Sequence, residues 1–366
     1  MPVASDEFDL AVIGTGPAAA TAALTAARGD RSVALIRCDG DRLAGESRDW
    51  LGPAGVSLAS QLDFPLEKLH PAHFTGVRLF SADFKRSCAV EDAELTGCIV
   101  ETNQLCELIV HAAIATKRTR KFAAAPIRIE QRERTRAVQL SDGTLLTARV
   151  LIIADGATSP AGTLAGLAAG AKTAYLSVSA AKVANNAKPG LAIVLGGGSE
   201  QRAATVLSDK KCTQVSFPVR ERDANPTQYL PAFWKMASDA GLANGTPPAE
   251  IACRPHIAGG ALDRDTHVGK GCLIAGAAGG FAAAFSNEEL YPAMQSGRLA
   301  AEVALRALEA AVLQDELTTF SAVWRSAFAE YLRMPNTDLN LLLPLVFGNP
   351  QMSRRVARAF LLGQKF

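Results

Sequence analysis

Phe8-Asp9-Leu10-Ala11-Val12-Ile13-Gly14-Thr15-Gly16-Pro17-Ala18-Ala19 is the stretch that decides how this chain folds. Residues 8–13 are apolar apart from Asp9, the pattern of a parallel strand buried on both faces. A GxGxxA turn follows. Residues 18–28 are then rich in alanine and leucine with no breaker, and residues 32–36 form a second short apolar run. Together they predict a strand, helix, strand unit. In that setting the glycines let backbone approach a pyrophosphate, and the helix N-terminus supplies free N–H groups and a partial positive charge. A tight turn that binds nothing is the alternative for such a motif. At the end of the second strand a dinucleotide site offers Asp or Glu to the ribose hydroxyls, but this chain has Arg37. Arginine cannot accept those protons. It can stack on adenine or pair with a 2′-phosphate, which keeps an NADP-type reading open.

The rest of the chain alternates two textures. Residues 103–115 are helical in pattern and residues 76–80 strand-like, while residues 128–147 alternate around Ser141-Asp142-Gly143 as a hairpin does. Residues 150–153 return to an all-apolar strand that runs into Ala154-Asp155-Gly156. Between 172 and 267, short alternating segments at 175–181, 192–195, 203–207 and 213–217 predict a twisted antiparallel sheet. The core texture resumes with a strand at 272–275, a glycine-rich turn and a helix over 289–313, and residues 317–366 read mostly as helices.

The fold class expected is therefore α/β, α+β overall. It comprises a Rossmann-type lobe with a mostly parallel sheet, an antiparallel substrate-covering sheet and C-terminal helices. The lobes interleave: 1–70, 100–171 and 268–313 form the dinucleotide lobe, 71–99 and 172–267 the antiparallel lobe, and 314–366 the terminal helices.

Composition narrows the function classes. The 366 residues are enough for one large or two intimate lobes, and at 48% hydrophobic and 20% charged they predict a globule rather than a disordered chain. A net charge of +2 argues against nucleic acid, and the run Lys117, Arg118, Arg120, Lys121 reads as a solvated face. The seven cysteines show no CxxC spacing or metal-ligand clustering and read as reduced thiols of a cytoplasmic protein. Residues 1–10 lack the n- and h-regions of a secretory signal, and no stretch approaches the roughly 20 apolar residues of a spanning helix. The apolar run at 341–347, interrupted by Pro344, reads as a buried segment or as a lip touching a membrane or lipid-like substrate.

Two further stretches carry a resemblance. Leu151-Ile152-Ile153-Ala154-Asp155-Gly156-Ala157-Thr158-Ser159 resembles the "ADGxxS" segment of FAD-dependent oxidoreductases of the p-hydroxybenzoate hydroxylase and geranylgeranyl reductase type. Leu273-Ile274-Ala275-Gly276-Ala277-Ala278-Gly279-Gly280-Phe281, with Ala293-Met294-Gln295-Ser296-Gly297-Arg298-Leu299-Ala300-Ala301, resembles that family's "GDAAG … AMxSGRLAA" stretch. With the N-terminal turn, these anchors fall in the family's order. Gly45-Glu46-Ser47 also resembles a "GES" of halogenase-like members and of flavoproteins that help mature peptidyl quinone cofactors. The resemblance implies FAD in an extended conformation and a substrate cavity beneath the antiparallel sheet. It implies a reduced flavin that activates oxygen or passes hydride to a double bond, with NADPH or NADH as reductant. By position it places Gly14, Gly16, Pro17, Ala18 and Ala19 at the pyrophosphate and Arg37 at the ribose. Asp155 and Gly156 fall beside the cofactor, with Gly276, Ala277, Gly280, Phe281 and the helix start at Glu289 toward the ribityl and flavin end.

The departures from the family pattern matter equally. The family's ribityl-binding aspartate is Ala277 here, its following proline is Ala284, its "GEG" is Asn287-Glu288-Glu289, and an arginine common before the cofactor-facing helix aligns near Thr102. Each lost acceptor of a buried hydroxyl hydrogen bond is worth roughly 1–3 kcal/mol. Two of them, at Arg37 and Ala277, reduce affinity by roughly 30-fold to 10⁴-fold. Weak or partial FAD occupancy is the expectation.

No catalytic residue is assigned from the sequence. His70, His73, His111, His256 and His267 lack metal spacing, and His73 and His256 rank first because their segments can line the cavity. Asp155 reads as a turn residue before it reads as an acid or base. Glu288 and Glu289 read as capping carboxylates at a helix start. Trp50, Trp234, Trp324 and Phe285 read as core. The function expected is an FAD-dependent oxidoreductase, a monooxygenase before an ene-reductase, acting on a small-molecule or peptidyl substrate. The alternatives are a homologue without flavin that serves as a binding or maturation partner of another protein, and an NADP-binding reductase.

Overall fold

Hydrophobic strands with apolar residues at every position must be covered on both faces, and the structure, a computed structural model, shows how. It describes residues 6–38, 47–167, 175–183, 189–196, 202–220, 226–335 and 339–365. At the centre, β1 (Asp6–Ile13) lies parallel between β2 (Val33–Ile36) and β11 (Leu145–Ile153). The sheet continues in parallel through β8 (Thr119–Phe122) on one side and β18 (Cys272–Ile274) on the other. Val150–Ile153 and Cys272–Ile274 thus belong to one sheet. Its edges are antiparallel: β17 (Val268–Gly269) on β18, and β10 (Arg136–Leu140) with β9 (Pro126–Gln131) on the first half of β11. The expected hairpin is present, and Gly143 turns it at φ 87° while Thr144 N–H donates to Asp142 Oδ1 at 2.9 Å. What the sequence showed as a hairpin arm and a separate strand is one nine-residue strand, β11.

The two faces of this sheet are filled by alternate residues. Leu10, Val12, Leu35, Ile152 and Leu273 face α1 (Pro17–Arg28) and α7 (Leu290–Glu309), whereas Ala11, Ile13, Ile36, Ile153 and Ile274 face the layer of β9 and β10. The alanines of α1 bring little bulk. They let α7 approach so closely that a Cβ on Gly297 would stand 2.2 Å from the Ala18 carbonyl oxygen. α3 (Thr102–Ala115) packs on the other side of α1, its N-terminus capped by Glu101, which accepts from Asn103 and Gln104 N–H.

A second sheet runs β16 (Ala252–His256), β12 (Tyr175–Val183), β15 (Cys212–Arg220), β14 (Ala204–Ser208), β13 (Gly190–Leu195), β5 (Val77–Ser81), β6 (Ser87–Val90). It is antiparallel except where β13 meets β5. Its outer face buries Phe217, Val219 and Val215 against Phe233 and Trp234 of α5 (Pro226–Asp239). A third, three-stranded sheet joins β3 (Arg48–Leu51), β7 (Thr96–Glu101) and β4 (Ala72–Thr75). Residues 71–99, expected together in the antiparallel lobe, are therefore divided between two sheets. The break falls at Gly76, whose φ of 97° and Cβ position 2.0 Å from the Val90 carbonyl oxygen admit only glycine between β4 and β5.

Short helices α2 (Pro53–Gln61), α4 (Pro160–Leu164) and α6 (Gly260–Asp263) bridge these layers. At the C-terminus follow α8 (Leu313–Thr318), α9 (Phe320–Leu332), α10 (Leu339–Val346) and α11 (Pro350–Leu362). α11 covers the third sheet, with Phe360 stacked on Trp50 at 5.7 Å between ring centroids. Trp50, Trp234, Trp324 and Phe285 are all core residues. None of the seven cysteines is in a disulfide. Among the described residues no helix is long and apolar enough to cross a membrane, and no group of His, Cys, Asp and Glu has the arrangement of a metal site.

Candidate functional site

Register aligns the C-terminal ends of four parallel strands. Ile13 is opposite both Ile36 and Ile153, and Ile153 is opposite Ile274. In open α/β sheets ligands bind outside these ends. Here a cavity of about 1210 Å³ opens there and extends to the inner face of the second sheet. That exceeds the roughly 300–1,000 Å³ of a common small-molecule pocket. One end is formed by Thr15, Gly16, Pro17, Ala18, Gly156 and Ala157, the roof by Ser179, Ala181, Gln214 and Arg254, and the wall between them by Asp49, Ala277, Phe281 and Glu289.

The two glycines of the first turn have different reasons to be glycine. Gly14 has φ 131°, and a Cβ there would lie 2.1 Å from the Ala154 carbonyl oxygen. It is needed to bring the end of β1 against the end of β11. Around Gly16 nothing lies within 4 Å of a built Cβ, and the residue faces the cavity. α1 starts at Pro17, and its N-cap Gly16 has no side chain with which to cap it. A helix N-terminus behind an open glycine is a cradle for an anion. The pyrophosphate end of FAD fits these residues. Ala277 also faces the cavity, with a methyl group where the family pattern has a carboxylate.

The other expected site residues are placed as follows. Ala19 is buried in the α1 core. Arg37 lies off the cavity lining, its N–H donating to the Phe122 carbonyl, and residues 39–46, with the Gly45-Glu46 pair, lie outside the described residues. Asp155 is fully buried and its carboxylate is committed: Oδ1 accepts from Ser159 Oγ and Oδ2 from Ala161 N–H, both at 2.7 Å. Burial pushes its pKa up, against those bonds. It fixes the turn into α4, where Ser159 has φ 37°. Gly276 donates its N–H to Ser296 Oγ at 2.9 Å, and its Cβ position is filled by Ala18. Gly280, at φ 77°, lies against the backbone of Gly260 and Ala261. Phe281 touches the cavity with one side and packs on His267, Trp324 and Phe328 with the rest.

The roof is polar because strand alternation turns small and polar side chains inward. Ala181 pairs with Gln214, and Ser179 with Ser216 and Ala252, while Arg254 lies two residues beyond Ala252 on the same face of its strand. Gln214 also ties the roof to the third sheet. Its Oε1 accepts from Arg48 N–H at 2.9 Å and its Nε2 donates to the Arg48 carbonyl at 2.6 Å. The Arg48 guanidinium is paired with Asp209 at 2.7 Å.

Four ionisable groups missed as a set meet at the wall. Asp49 comes from β3, Glu289 from the start of α7, and Arg254 and His256 from β16. His256 Nδ1 hydrogen-bonds Glu289 Oε1, and the histidine is 2% exposed. Burial works to raise the pKa of Glu289, but the charge and hydrogen bond of His256, with Arg254, outweigh it and hold the carboxylate at about 2. Asp49 goes the other way, to about 7, through burial and the neighbouring Glu289 charge. Behind them Glu288 is fully buried, accepts from Tyr331 Oη and from Gly52 N–H at 3.4 Å, and is pushed to about 8, chiefly by burial. The capping expectation is replaced for Glu289, whose side chain does not cap α7 and is bound by His256, whereas Glu288 takes a backbone N–H bond from Tyr291 in the first turn of α7 as well as the bond from Tyr331. The signal in the sequence was two adjacent carboxylates in an otherwise apolar stretch. Of the histidines ranked first, His256 supports the wall, while His73 is 52% exposed and pairs with Glu67 off the cavity. The 341–347 run is also off the cavity: Leu341 and Leu345 are exposed, and Val346 is buried against α11.

A parallel sheet with a glycine cradle, roofed by a second sheet over a large cavity, defines the class: this is the fold of FAD-dependent oxidoreductases. Residues 8–199 match the family model described as pyridine nucleotide-disulphide oxidoreductase, and the chain belongs to that family. No curated protein matches its sequence. Among solved structures, a geranylgeranyl bacteriochlorophyll reductase-like protein from Thermoplasma acidophilum is similar with a TM-score of 0.75 at 14% identity, covering 99% of this chain and 93% of that one. The probable FAD-dependent monooxygenase pqsL from Pseudomonas aeruginosa gives 0.69 at 16%, covering 96% and 99%. The flavin-dependent brominase Bmp2 gives 0.67 at 15%, covering 98% and 93%. At these identities the likeness establishes the fold.

Proposed function

We propose that this chain is an FAD-dependent oxidoreductase, a monooxygenase before an ene-reductase, that works on a small-molecule or peptidyl substrate held between its two large sheets. The observation that carries the reading is the open cradle at Gly16, which belongs to the same cavity as the polar roof of Gln214 and Arg254. Gly16, Pro17 and Ala18 with the α1 N-terminus hold the pyrophosphate, Gly14 and Ala19 shape the turn and helix behind them, and Gly156, Ala277 and Phe281 line the way toward the roof. Bound FAD supplies two-electron transfer and, when reduced, reactivity toward dioxygen, with NADPH or NADH as the source of electrons. The protein's part is to orient and to exclude water. The roof presents Arg254 to a polar substrate, with Gln214 holding the roof on the third sheet, and Phe281 with Leu290 and Ala293 supplies the apolar floor. Binding is weak, because the methyl of Ala277 offers no acceptor to a ribityl hydroxyl. Ala277 also favours a second reading, a homologue that has given up flavin and serves a protein partner.

The test is direct. Purified protein titrated with FAD should take up one equivalent with micromolar affinity by calorimetry, and the bound cofactor should show flavin absorption in visible light. Absence of any FAD uptake at millimolar concentration would leave the partner reading in its place.

A further inference from the structure

Three elements remote in sequence bring two carboxylates to one cavity wall and treat them oppositely. Glu289 is fixed by His256, a buried partner on the neighbouring strand. Asp49 is half-buried, and the hydrogen bond on its carboxylate is local, from Trp50 N–H to Oδ1 at 2.8 Å. Both side chains line the cavity, as does Arg254. We propose that Asp49 is the residue that hands a proton to the molecule bound in this cavity, and that Glu289, fixed by His256, is the positioning charge that keeps the proton on Asp49 until then. The inference rests on the reading of the cavity as a reaction site.

The surroundings of Asp49 support this assignment. From α7 it faces the ionised Glu289 and the buried Glu288, and from β16 it faces Arg254 and His256. Arg48, next to it on β3, is occupied by Asp209. Burial and the Glu289 charge favour the acid form, Arg254, His256 and the Trp50 N–H favour the anion, and the acid form persists to about pH 7. An acid whose pKa lies near the working pH is the efficient donor. In the step the Asp49 O–H bond breaks and its electron pair stays on the carboxylate. The proton goes to the oxygen or carbon of the bound molecule that has become electron-rich, and water in the cavity mouth restores it.

Two measurements test this on the full chain. Aspartate carboxyl signals followed by carbon-13 NMR should include one that titrates near pH 7. Asp49→Asn should remove it, and Glu289→Gln should move it at least one unit lower, as loss of a neighbouring negative charge requires. An Asp49 signal that titrates below pH 5, or one unmoved by Glu289→Gln, overturns the proposal. The second measurement is NADPH-driven reduction of dioxygen to hydrogen peroxide by FAD-loaded protein. It consumes two electrons and two protons, and so reads proton supply with no organic substrate. The wild-type rate should fall above pH 7. Asp49→Asn should be at least tenfold slower and flat with pH, and Asp49→Glu should recover the sloping profile. A wild-type profile retained by Asp49→Asn, with native circular dichroism, also overturns it. A wild type that consumes no oxygen while its Asp49 signal titrates as stated counts against the flavin reading and leaves the acid group standing on the NMR result.

Discussion

Gly297 of α7 lies against the carbonyl oxygen of Ala18 in α1, so closely that a Cβ at Gly297 would stand 2.2 Å from it. Ala18 is enclosed from the other side by Gly276, whose Cβ position is 2.6 Å from the Ala18 methyl. The cofactor-facing end of α1 is therefore set by two glycines from the distant C-terminal half. Gly297→Ala should push α7 away from α1 and destabilise the protein by about 1–3 kcal/mol, the usual cost of overpacking. Urea unfolding measures it, and an unchanged midpoint means the helices separate without loss.

Gly14 and Gly16 are expected to respond differently to the same change. Gly14→Ala places a Cβ into the Ala154 carbonyl at a left-handed φ and should lower folding stability measurably. Gly16→Ala meets nothing within 4 Å and should leave stability within about 0.5 kcal/mol, since its φ is −73°. It should instead weaken FAD at least tenfold in calorimetry, because the methyl fills the cradle. Equal FAD affinity in Gly16→Ala would show that the pyrophosphate does not sit there.

The contrast shows what the sequence could reveal. The glycine turn, the Ser141-Asp142-Gly143 hairpin and the apolar strands were legible because their signals are local, carried by neighbours within a few residues. The two roles of Gly14 and Gly16 look identical in sequence, since what separates them is Ala154 on another strand. That Asp49, Glu289 and Arg254 meet in one wall was illegible for the same reason: β3, α7 and β16 come together only through the packing of three layers. Glu288 and Glu289 looked like helix caps because a dipole argument sees the helix end and not Tyr331 or His256 waiting beside it.

Burial of Glu288 gives the protein a pH dependence whose sign is fixed. Its folded pKa of about 8 lies above the unfolded 4.5, so the folded state keeps a proton that the unfolded state has lost. Stability is then full at low pH and falls as pH rises through about 8. His267, held at about 4 by burial, has the opposite slope between about 4 and 6.5, so the clean window lies above 6.5. From pH 6.5 to 8 the Glu288 share is about 2 kcal/mol, at about 1.36 kcal/mol per unit. Asp49, at about 7, adds a smaller loss of the same sign. Urea unfolding at the two pH values should show the decline in wild type and a shallower one in Glu288→Gln. A flat wild type means Glu288 is ionised in the folded protein.

Restoring the missing acceptor tests the other half of the cofactor site. Ala277 faces the cavity in a short 3₁₀ turn, Gly276–Gly279, which Ser296 Oγ and the Gly280 N–H to Ala277 carbonyl bond hold in shape. The turn therefore need not move to accept a larger side chain, and the half-buried Ala277 methyl has cavity in front of it rather than protein. Ala277→Asp should place a carboxylate toward the space that a ribityl hydroxyl would occupy and tighten FAD by about 1–3 kcal/mol, five-fold to more than a hundred-fold. The new charge is the opposing term, since Glu289 already lines the same wall. If repulsion dominates, the gain should return in the double variant Ala277→Asp with Glu289→Gln. Calorimetric titration of the three proteins with FAD separates the cases. A wild type that binds at nanomolar strength, or two variants that bind no better than it, shows that other groups already satisfy the ribityl chain and that Ala277 is not the weak point of the site.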